Sequence, residues 1–203
     1  RRLIALAEAR GIAVRLQEHC AQKIGRPELG CVDDGEIARG DVLITLGGDG
    51  AVLGAARAAA PHGTPVLAVD LGRLGFLSAV RPAEIERAFE LLCDGELLVE
   101  ERMMLEAEVG ARNPIIGLND AVVAKSALAR ILRLTIRIGD ELVAETRADG
   151  LIISTPTGST AYAISAGGPI VHPDVPLLLI CPICAHSLTQ RPLVVAPDET
   201  ISV

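Results

Sequence analysis

Up to about Phe89, short apolar runs alternate with alanine-rich stretches, and Gly, Pro or Asp marks each boundary. This alternation is typical of βα units that build a parallel sheet. It predicts a strand at residues 13–16, buried strands at residues 42–46 and 66–69, and helices at residues 3–9, 51–60 and 82–92. We therefore expect an α/β N-terminal domain, with a parallel sheet flanked by helices.

Beyond Gly95 the hydrophobic period falls to two. In residues 131–138, polar Arg133, Thr135 and Arg137 alternate with aliphatic positions, as expected of a strand with one face in water. The following Gly139-Asp140 pair predicts a hairpin. Further strands are predicted at residues 115–124, 151–154, 177–180 and 193–196. We expect domains at residues 1–97 and 98–203, the second mostly β and incomplete at its C-terminal end.

Composition and charge exclude several classes of protein. Half of the 203 residues are hydrophobic but only 1% are aromatic, so the chain is not disordered and its core is aliphatic. Lys and Arg number 19 against 26 acidic residues, which gives a net charge of −7 and no general attraction to phosphate polymers or anionic lipid. No apolar run approaches the about 20 residues that span a bilayer. We expect neither a nucleic-acid nor a membrane partner.

The cysteines indicate a reducing compartment. There are five of them, without a regular framework, so the cytoplasm is the expected location. Cys181 and Cys184 have a spacing found in metal sites, but no second pair accompanies them. We interpret them as structural cysteines.

The first candidate for chemistry is the glycine-rich segment at residues 46–50, between a predicted strand and a predicted helix. Glycines there let backbone N–H groups approach a ligand, and the helix N-terminus favours phosphate. Asp49 would repel a phosphate unless it binds a cation or orients a hydroxyl for attack, as phosphoryl transfer requires. Alternatively, Asp49 simply caps the helix, and the spacing leaves both interpretations open. Neither the P-loop pattern nor G-x-G-x-x-G after a strand occurs.

The second candidate segment covers residues 149–169. A predicted buried strand leads into a hydroxyl-rich turn and a short helix, on which Tyr162 and Ser165 share a face. Such a turn offers neutral donors and acceptors that match ribose hydroxyls and an adenine edge. The alternative is that its Ser and Thr residues are caps and that Tyr162 fills the core. Since Tyr162 is the single tyrosine of the chain and lies among hydroxyls and glycines, pure packing is the less persuasive interpretation.

Four motifs, taken in order, resemble the ATP-dependent NAD kinase family. They are Gly47-Gly48-Asp49-Gly50, Asp70-Leu71-Gly72-Arg73-Leu74-Gly75-Phe76-Leu77, Asn119-Asp120, and the run at residues 154–169. The later stretches at residues 181–188 and 191–193 are similar to those that follow in the family. The resemblance covers about residues 41–195. The glycine turn alone identifies only a broader superfamily, shared with diacylglycerol-type lipid kinases and relatives of phosphofructokinase.

This resemblance implies transfer of the γ-phosphate of ATP to the 2′-hydroxyl of the adenosine ribose of NAD, giving NADP, with Mg²⁺ or a similar divalent ion. Polyphosphate is the alternative donor. The family pairs an α/β nucleotide-binding domain with a β-rich domain, with NAD between them. A homo-oligomer, dimer or tetramer, is expected, because some of the family's contacts reach a neighbouring subunit.

The resemblance also assigns site residues. Asp49 matches the aspartate proposed as base or orienting group in the family. The nucleotide contacts match Gly48, Gly50, Phe76, Asn119, Asp120, Asp149, Thr160, Ala161, Tyr162 and Ser165. Arg147 and Lys125 are candidates to supply positive charge to a phosphate, although most cations on strands only solvate an exposed face. We assign no direct metal ligand. An ionised Asp120 can accept two hydrogen bonds from a ribose diol, although a carboxylate in a turn at a strand end is the alternative.

Two residues depart from the family pattern. Ala51 stands where the family usually has Thr, which removes a hydroxyl, and Asp70 stands where it usually has Asn, which adds a negative charge near the expected pocket. Two other functions stay open: a lipid kinase with the same glycine turn, and a dinucleotide sensor without catalysis. The acidic composition and the polar residues 155–165 disfavour the lipid kinase, whereas Ala51 keeps the sensor open.

Overall fold

The computed structural model describes residues 1–72, 75–126, 131–186 and 191–203, apart from the side chain of Asp34. Arg73 and Leu74 of the second motif, and Ser187 and Leu188 of the C-terminal match, lie outside the described residues. The chain divides into two compact units, residues 1–100 and residues 101–203. Within the described ranges, no helix combines the length and the apolar character that crossing a lipid bilayer requires.

The first unit alternates helices with short parallel strands. Its helices are α1 (Arg2–Ala9), α2 (Glu18–Ile24), α3 (Asp34–Ile37), α4 (Asp49–Ala59) and α5 (Ile85–Cys93). Its strands are β1 (Leu16–Gln17), β2 (Gly30–Cys31), β3 (Leu43–Leu46) and β4 (Val66–Val69), and 3₁₀ turns lie at Pro27–Leu29, Ala60–His62 and Pro82–Glu84. Strand β1 pairs in parallel with β2, and β3 pairs in parallel with β4.

Three predictions for the first unit need correction. The strand predicted at residues 13–16 is only the two-residue β1, because parallel pairing with β2 begins at Leu16. Strand β3 is half-buried rather than buried, whereas Val69 of β4 is fully buried in a cluster with Val80 and Ala88. The helix predicted from residue 51 begins two residues earlier, so Asp49 is the first residue of α4.

The second unit is mostly antiparallel β-structure. Its strands are β5 (Leu105–Ala107), β6 (Ile115–Gly117), β7 (Asp120–Ala124), β8 (Leu132–Ile138), β9 (Glu141–Ala148), β10 (Gly150–Ser154), β11 (Leu178–Ile183), β12 (Leu193–Val195) and β13 (Ile201–Ser202). A 3₁₀ turn at Thr157–Thr160 precedes the short helix α6 (Tyr162–Ser165). The described strands form sheets in the orders β12-β11-β10-β7, β13-β8-β9 and β5-β6.

The predicted order, an α/β unit followed by a mostly β unit, is confirmed, as is the hairpin at Gly139-Asp140 between β8 and β9. Aliphatic side chains from β5, β8, β10, β11 and β12 make the main core of the second unit, with Ile136, Leu151 and Ile180 almost fully buried. A smaller cluster of Ile152, Ala163, Leu179 and Cys181 holds α6 against the sheet.

The strand predicted at residues 115–124 is two strands, interrupted at Leu118 and Asn119. The interruption has a non-local cause. The Thr155 hydroxyl donates to the carbonyl oxygen of Leu118 at 2.6 Å, and the Thr155 N–H donates to that of Asn119 at 2.8 Å. These carbonyls are therefore bound by the segment after β10, and the chain turns between β6 and β7.

Candidate functional site

Asp49 lies at the point where β3 turns through Gly47 and Gly48 into α4. Gly48 is the N-cap residue of α4, and no side-chain capping hydrogen bond is formed at this N-cap. Its carboxylate instead accepts two backbone hydrogen bonds from a distant loop, from the Phe76 N–H at 3.1 Å and from the Leu77 N–H at 3.2 Å. The Asp49 carboxylate is therefore bound by the backbone of the loop that contains Phe76 and Leu77.

The loop after β4 is shaped by a second aspartate, Asp70, which is only 3% exposed. One Asp70 oxygen accepts from the Gly72 N–H at 2.7 Å and the other from the Gly75 N–H at 3.2 Å. The charge that Asp70 adds relative to the family pattern is therefore bound inside its own loop. This role was not predicted from the sequence, although an Asp followed two residues later by Gly is a signal for such a turn.

Gly75 brings this loop directly against the catalytic candidate. A Cβ built on Gly75 would lie 2.6 Å from the Asp49 Cγ, so only glycine fits at this position without displacing the carboxylate. The neighbouring Phe76 side chain is 76% exposed and packs little in its own unit. A large apolar ring held in solvent is available to a ligand.

Gly50 and Ala51 occupy the first turn of α4, and a Cβ on Gly50 would meet nothing within 4 Å. The Ala51 methyl lies close to Gly47, where a Cβ would be 2.8 Å away. The Ala51 methyl therefore leaves no room for a side chain at residue 47. Ala51 also adds no hydroxyl to the helix N-terminus.

In the second unit, Asn119 and Asp120 lie beside the hydroxyl-rich segment. Asp120 pairs with Ser154 across β7 and β10, and the Asn119 carbonyl accepts from the Thr155 N–H. The Oδ1 atom of Asn119 is buried and has no hydrogen-bond partner among the described residues. A buried acceptor in this state costs about 1–3 kcal/mol, which a donor from a ligand would recover.

Gly158 fixes the distance between these two segments. A Cβ there would lie 2.5 Å from the Asn119 carbonyl carbon and 2.6 Å from the Ser154 Oγ. The Gly158 N–H also donates to the Thr155 hydroxyl oxygen at 3.1 Å. Gly158 and Thr155 were not among the predicted site residues, yet they hold Asn119 in place.

The four predicted contacts at residues 160–165 follow this turn. The Thr160 hydroxyl donates to the Thr157 carbonyl at 3.3 Å, and the Ala161 N–H donates to the Gly158 carbonyl at 2.9 Å. Tyr162 is 46% exposed and Ser165 is exposed on the same short helix, so the interpretation of Tyr162 as a core residue is wrong.

Asp149 lies between β9 and β10 and forms an ion pair with Lys125, whose Nζ is 2.6 Å from its Oδ1. The Lys125 N–H also donates to the Asp149 carbonyl at 3.1 Å. Arg147, two residues earlier on β9, is exposed. A positive and a negative side chain thus meet at this end of β10, and the Lys125 charge is already partly compensated by Asp149.

The carboxyl of Asp120 differs electrostatically from an exposed one. Partial burial penalises its charged form and raises its pKa above the usual value for Asp. Because the native pKa is higher than the unfolded one, the native state binds the proton more tightly. Ionised Asp120 therefore lowers the free energy of unfolding at neutral pH, and this penalty disappears as pH falls toward about 4.

We expect Asp120→Asn to stabilise the second unit at neutral pH, and the gain to shrink as the solution is acidified. Urea unfolding of both proteins across this pH range measures the difference. Asp140→Asn, at an exposed carboxylate in the β8–β9 turn, is the control and should show no such trend. A loss of stability in Asp120→Asn at neutral pH would contradict the burial argument.

The five cysteines are distributed over both units of the chain. All five are free thiols. Cys181 packs under α6, and burial raises the pKa of its thiol. Cys184 is exposed. Over the described ranges, no three His, Cys, Asp or Glu side chains group as metal ligands.

Sequence comparison matches most of the chain to one family. Residues 14–97 match the ATP-NAD kinase N-terminal domain, and residues 118–203 match the ATP-NAD kinase C-terminal domain. The NAD kinase of Symbiobacterium thermophilum is 44% identical over 200 residues, 97% of this chain and 71% of the relative. That of Heliobacterium modesticaldum is 50% identical over 165 residues, 79% of this chain and 58% of the relative.

Solved structures lead to the same family. Yeast NADH kinase in complex with NADH superposes with a TM-score of 0.84 at 33% identity, over 94% of this chain and 62% of the yeast chain. An NAD kinase from Archaeoglobus fulgidus in complex with ATP superposes with a TM-score of 0.72 at 26% identity, over 90% of this chain and 74% of that one. The chain thus spans less than two thirds of the length of the yeast kinase. From the order of its motifs, both domain matches and these relatives, the chain belongs to the NAD kinase family.

Proposed function

We propose that this protein is an ATP-dependent NAD kinase, which transfers the γ-phosphate of ATP to the 2′-hydroxyl of the adenosine ribose of NAD. The observation that carries the proposal is the Asp49 carboxylate, which the Phe76 and Leu77 N–H groups hold at the start of α4. Membership of the NAD kinase family decides against the lipid-kinase alternative.

The Asp49 carboxylate keeps the capacity to take a proton. An ionised carboxylate offers about four acceptor positions, of which the two backbone N–H groups use two. A ribose hydroxyl can donate to one of the remaining positions. As the 2′-oxygen bonds to the γ-phosphorus, the bond from that phosphorus to the bridging oxygen breaks. ADP leaves, and the hydroxyl proton passes to Asp49.

We propose Mg²⁺ as the metal, carried to the site by the nucleotide. Mg²⁺ is usually bound by one or two carboxylates together with waters and substrate phosphates, so a three-ligand protein cluster is not required. Asp49 is the carboxylate in this unit that we expect to face it. When bound, Mg²⁺ supplies charge neutralisation to the phosphates.

Polar and charged groups of the second unit are proposed to recognise NAD. We propose that the Asn119 side chain and ionised Asp120 bind ribose or adenine edges, and that Tyr162 contacts a ring. The proposal is supported by the unpartnered Oδ1 of Asn119 and by the exposure of Tyr162. Thr160, Ala161, Ser165 and Asp149 are proposed as further contacts, with Arg147 as a source of positive charge. A homo-oligomer and a cytoplasmic location are also proposed, the latter supported by five free thiols.

A coupled assay tests this function. The purified chain is incubated with NAD, ATP and MgCl₂, and NADP is measured with an NADP-specific dehydrogenase. We expect NADP only when both substrates are present, and polyphosphate replaces ATP in a parallel reaction to identify the donor. A folded protein that binds NAD but forms no NADP with either donor would be a dinucleotide sensor.

Substitution of Tyr162 tests the proposed ring contact. We expect Tyr162→Ala to raise the KM for NAD about tenfold, equivalent to about 1.4 kcal/mol, because a stacked base loses its partner. Tyr162→Phe keeps the ring and should stay close to wild type. Ile164→Ala, 41% exposed on the same helix, is the control. An unchanged KM in Tyr162→Ala would remove the ring from the binding site.

A further inference from the structure

Three consecutive backbone N–H groups of one loop donate to two different aspartates. Gly75 donates to Asp70, while Phe76 and Leu77 donate to Asp49. The two carboxylates are therefore connected through a single stretch of main chain. A change in how Asp70 holds Gly75 shifts the N–H groups that hold Asp49.

Asp70 itself is held by the sheet. Its N–H donates to the Val80 carbonyl at 2.9 Å, and Val80 forms a parallel bridge with Val69 at the end of β4. The same Val69 accepts from the Gly47 N–H at 2.9 Å, in the turn that leads to Asp49. Both ends of the connection are thus anchored on β4. Between these anchors, the backbone at residues 75–77 is held by the side chains of Asp70 and Asp49.

A carboxylate suits this position better than an amide does. Each Asp70 oxygen accepts a different N–H, from Gly72 and from Gly75. An Asn side chain has only one acceptor oxygen and would point an NH₂ group at one of these donors. Since Asp70 is 3% exposed, solvent would not easily satisfy the N–H that loses its partner.

We propose that Asp70 is a positioning residue for phosphoryl transfer, which orients the Asp49 carboxylate through the backbone of residues 75–77. This inference rests on the proposed kinase function. The close approach of Gly75 to the Asp49 carboxyl group makes the connection stiff, because a small movement of that backbone displaces the carboxylate. Misplacement of a reacting group by about 1 Å costs about 100-fold in rate.

The test compares Asp70→Asn and Asp70→Ala with Asp94→Asn, a control at an exposed carboxylate after α5. The kcat and the KM for NAD are measured for each, together with amide hydrogen exchange of residues 75–77. We expect kcat to fall about tenfold in Asp70→Asn and about 100-fold in Asp70→Ala, with the KM for NAD within about twofold. Exchange at Phe76 and Leu77 should become faster in both variants. The control should match wild type.

These readouts separate the inference from the proposed function. If wild type forms no NADP, the kinase proposal fails and with it the role of Asp70 in transfer. If wild type is active but Asp70→Asn keeps its kcat and its exchange rates, the positioning role is overturned. A higher KM for NAD with unchanged kcat would also overturn it. If Asp70→Ala does not fold, Asp70→Asn carries the test alone, since it keeps the size of the side chain.

Discussion

Asp49→Asn is expected to reduce NADP formation to background while the Kd for NAD stays within about tenfold of wild type, a change below about 1.4 kcal/mol. The amide keeps one oxygen for the Phe76 or Leu77 N–H, so the turn before α4 is preserved. It cannot take the proton of the attacking hydroxyl, and it places an NH₂ group where the loop N–H groups point. In the proposed mechanism turnover depends on this proton acceptor, whereas most of the proposed NAD contacts lie elsewhere.

The measurement is the coupled assay together with calorimetric titration of NAD. Asp41→Asn, at an exposed carboxylate shortly before β3, controls for the loss of one negative charge. Wild-type-like turnover in Asp49→Asn would remove Asp49 from the mechanism. A loss of NAD binding as large as the loss of turnover would instead make Asp49 a binding residue.

Gly158→Ala is expected to destabilise the second unit by about 3 kcal/mol, at the upper end for an overpacked interior. The added methyl would meet the Asn119 carbonyl group and the Ser154 Oγ, and the main-chain atoms among these neighbours have no alternative rotamer. Ser154 ends β10 and Asn119 directly precedes β7, and these strands pair within the four-stranded sheet, so the neighbours of the added methyl are not free to move away.

Chemical denaturation followed by circular dichroism measures this effect. Gly54→Ala in α4 is the matched control, because a Cβ there meets nothing within 4 Å. A helix-interior alanine should raise stability by about 1 kcal/mol relative to glycine. Equal effects of the two substitutions would show that the close contact at Gly158 relaxes without cost. The folded fraction of Gly158→Ala should also bind NAD more weakly, since Asn119 is displaced.

Local periodicity was sufficient to predict the elements whose partners are close in the chain. The alternation in residues 131–138 and the Gly139-Asp140 pair predicted the β8–β9 hairpin, where strand, turn and partner are contiguous. The hydrophobic periodicity failed at residues 115–124, where the apolar run continues but the strand is interrupted. There the hydroxyl of Thr155, 37 residues from Leu118, captures a carbonyl, and no local pattern encodes that contact.

In the candidate site, too, local signals were predictive and long-range contacts were not. The glycine turn placed Asp49 at the junction of a strand and a helix, because that signal lies within five residues, although the helix begins at Asp49 itself rather than at residue 51. The direction of its carboxylate depends on N–H groups 27 and 28 residues later, so the sequence left capping and catalysis equally open. Asp70 was noted only as an added charge, since its burial and its two donors depend on the folded loop.

The exposure of Tyr162 has a practical consequence for experiments. The chain contains no tryptophan and no other tyrosine, so nearly all of its near-ultraviolet emission originates from this ring, 46% exposed on α6. A nucleotide base stacked on it should quench that emission. The unlabelled protein therefore carries an intrinsic optical reporter at the proposed dinucleotide contact, which can follow ligand arrival in a stopped-flow instrument without any turnover.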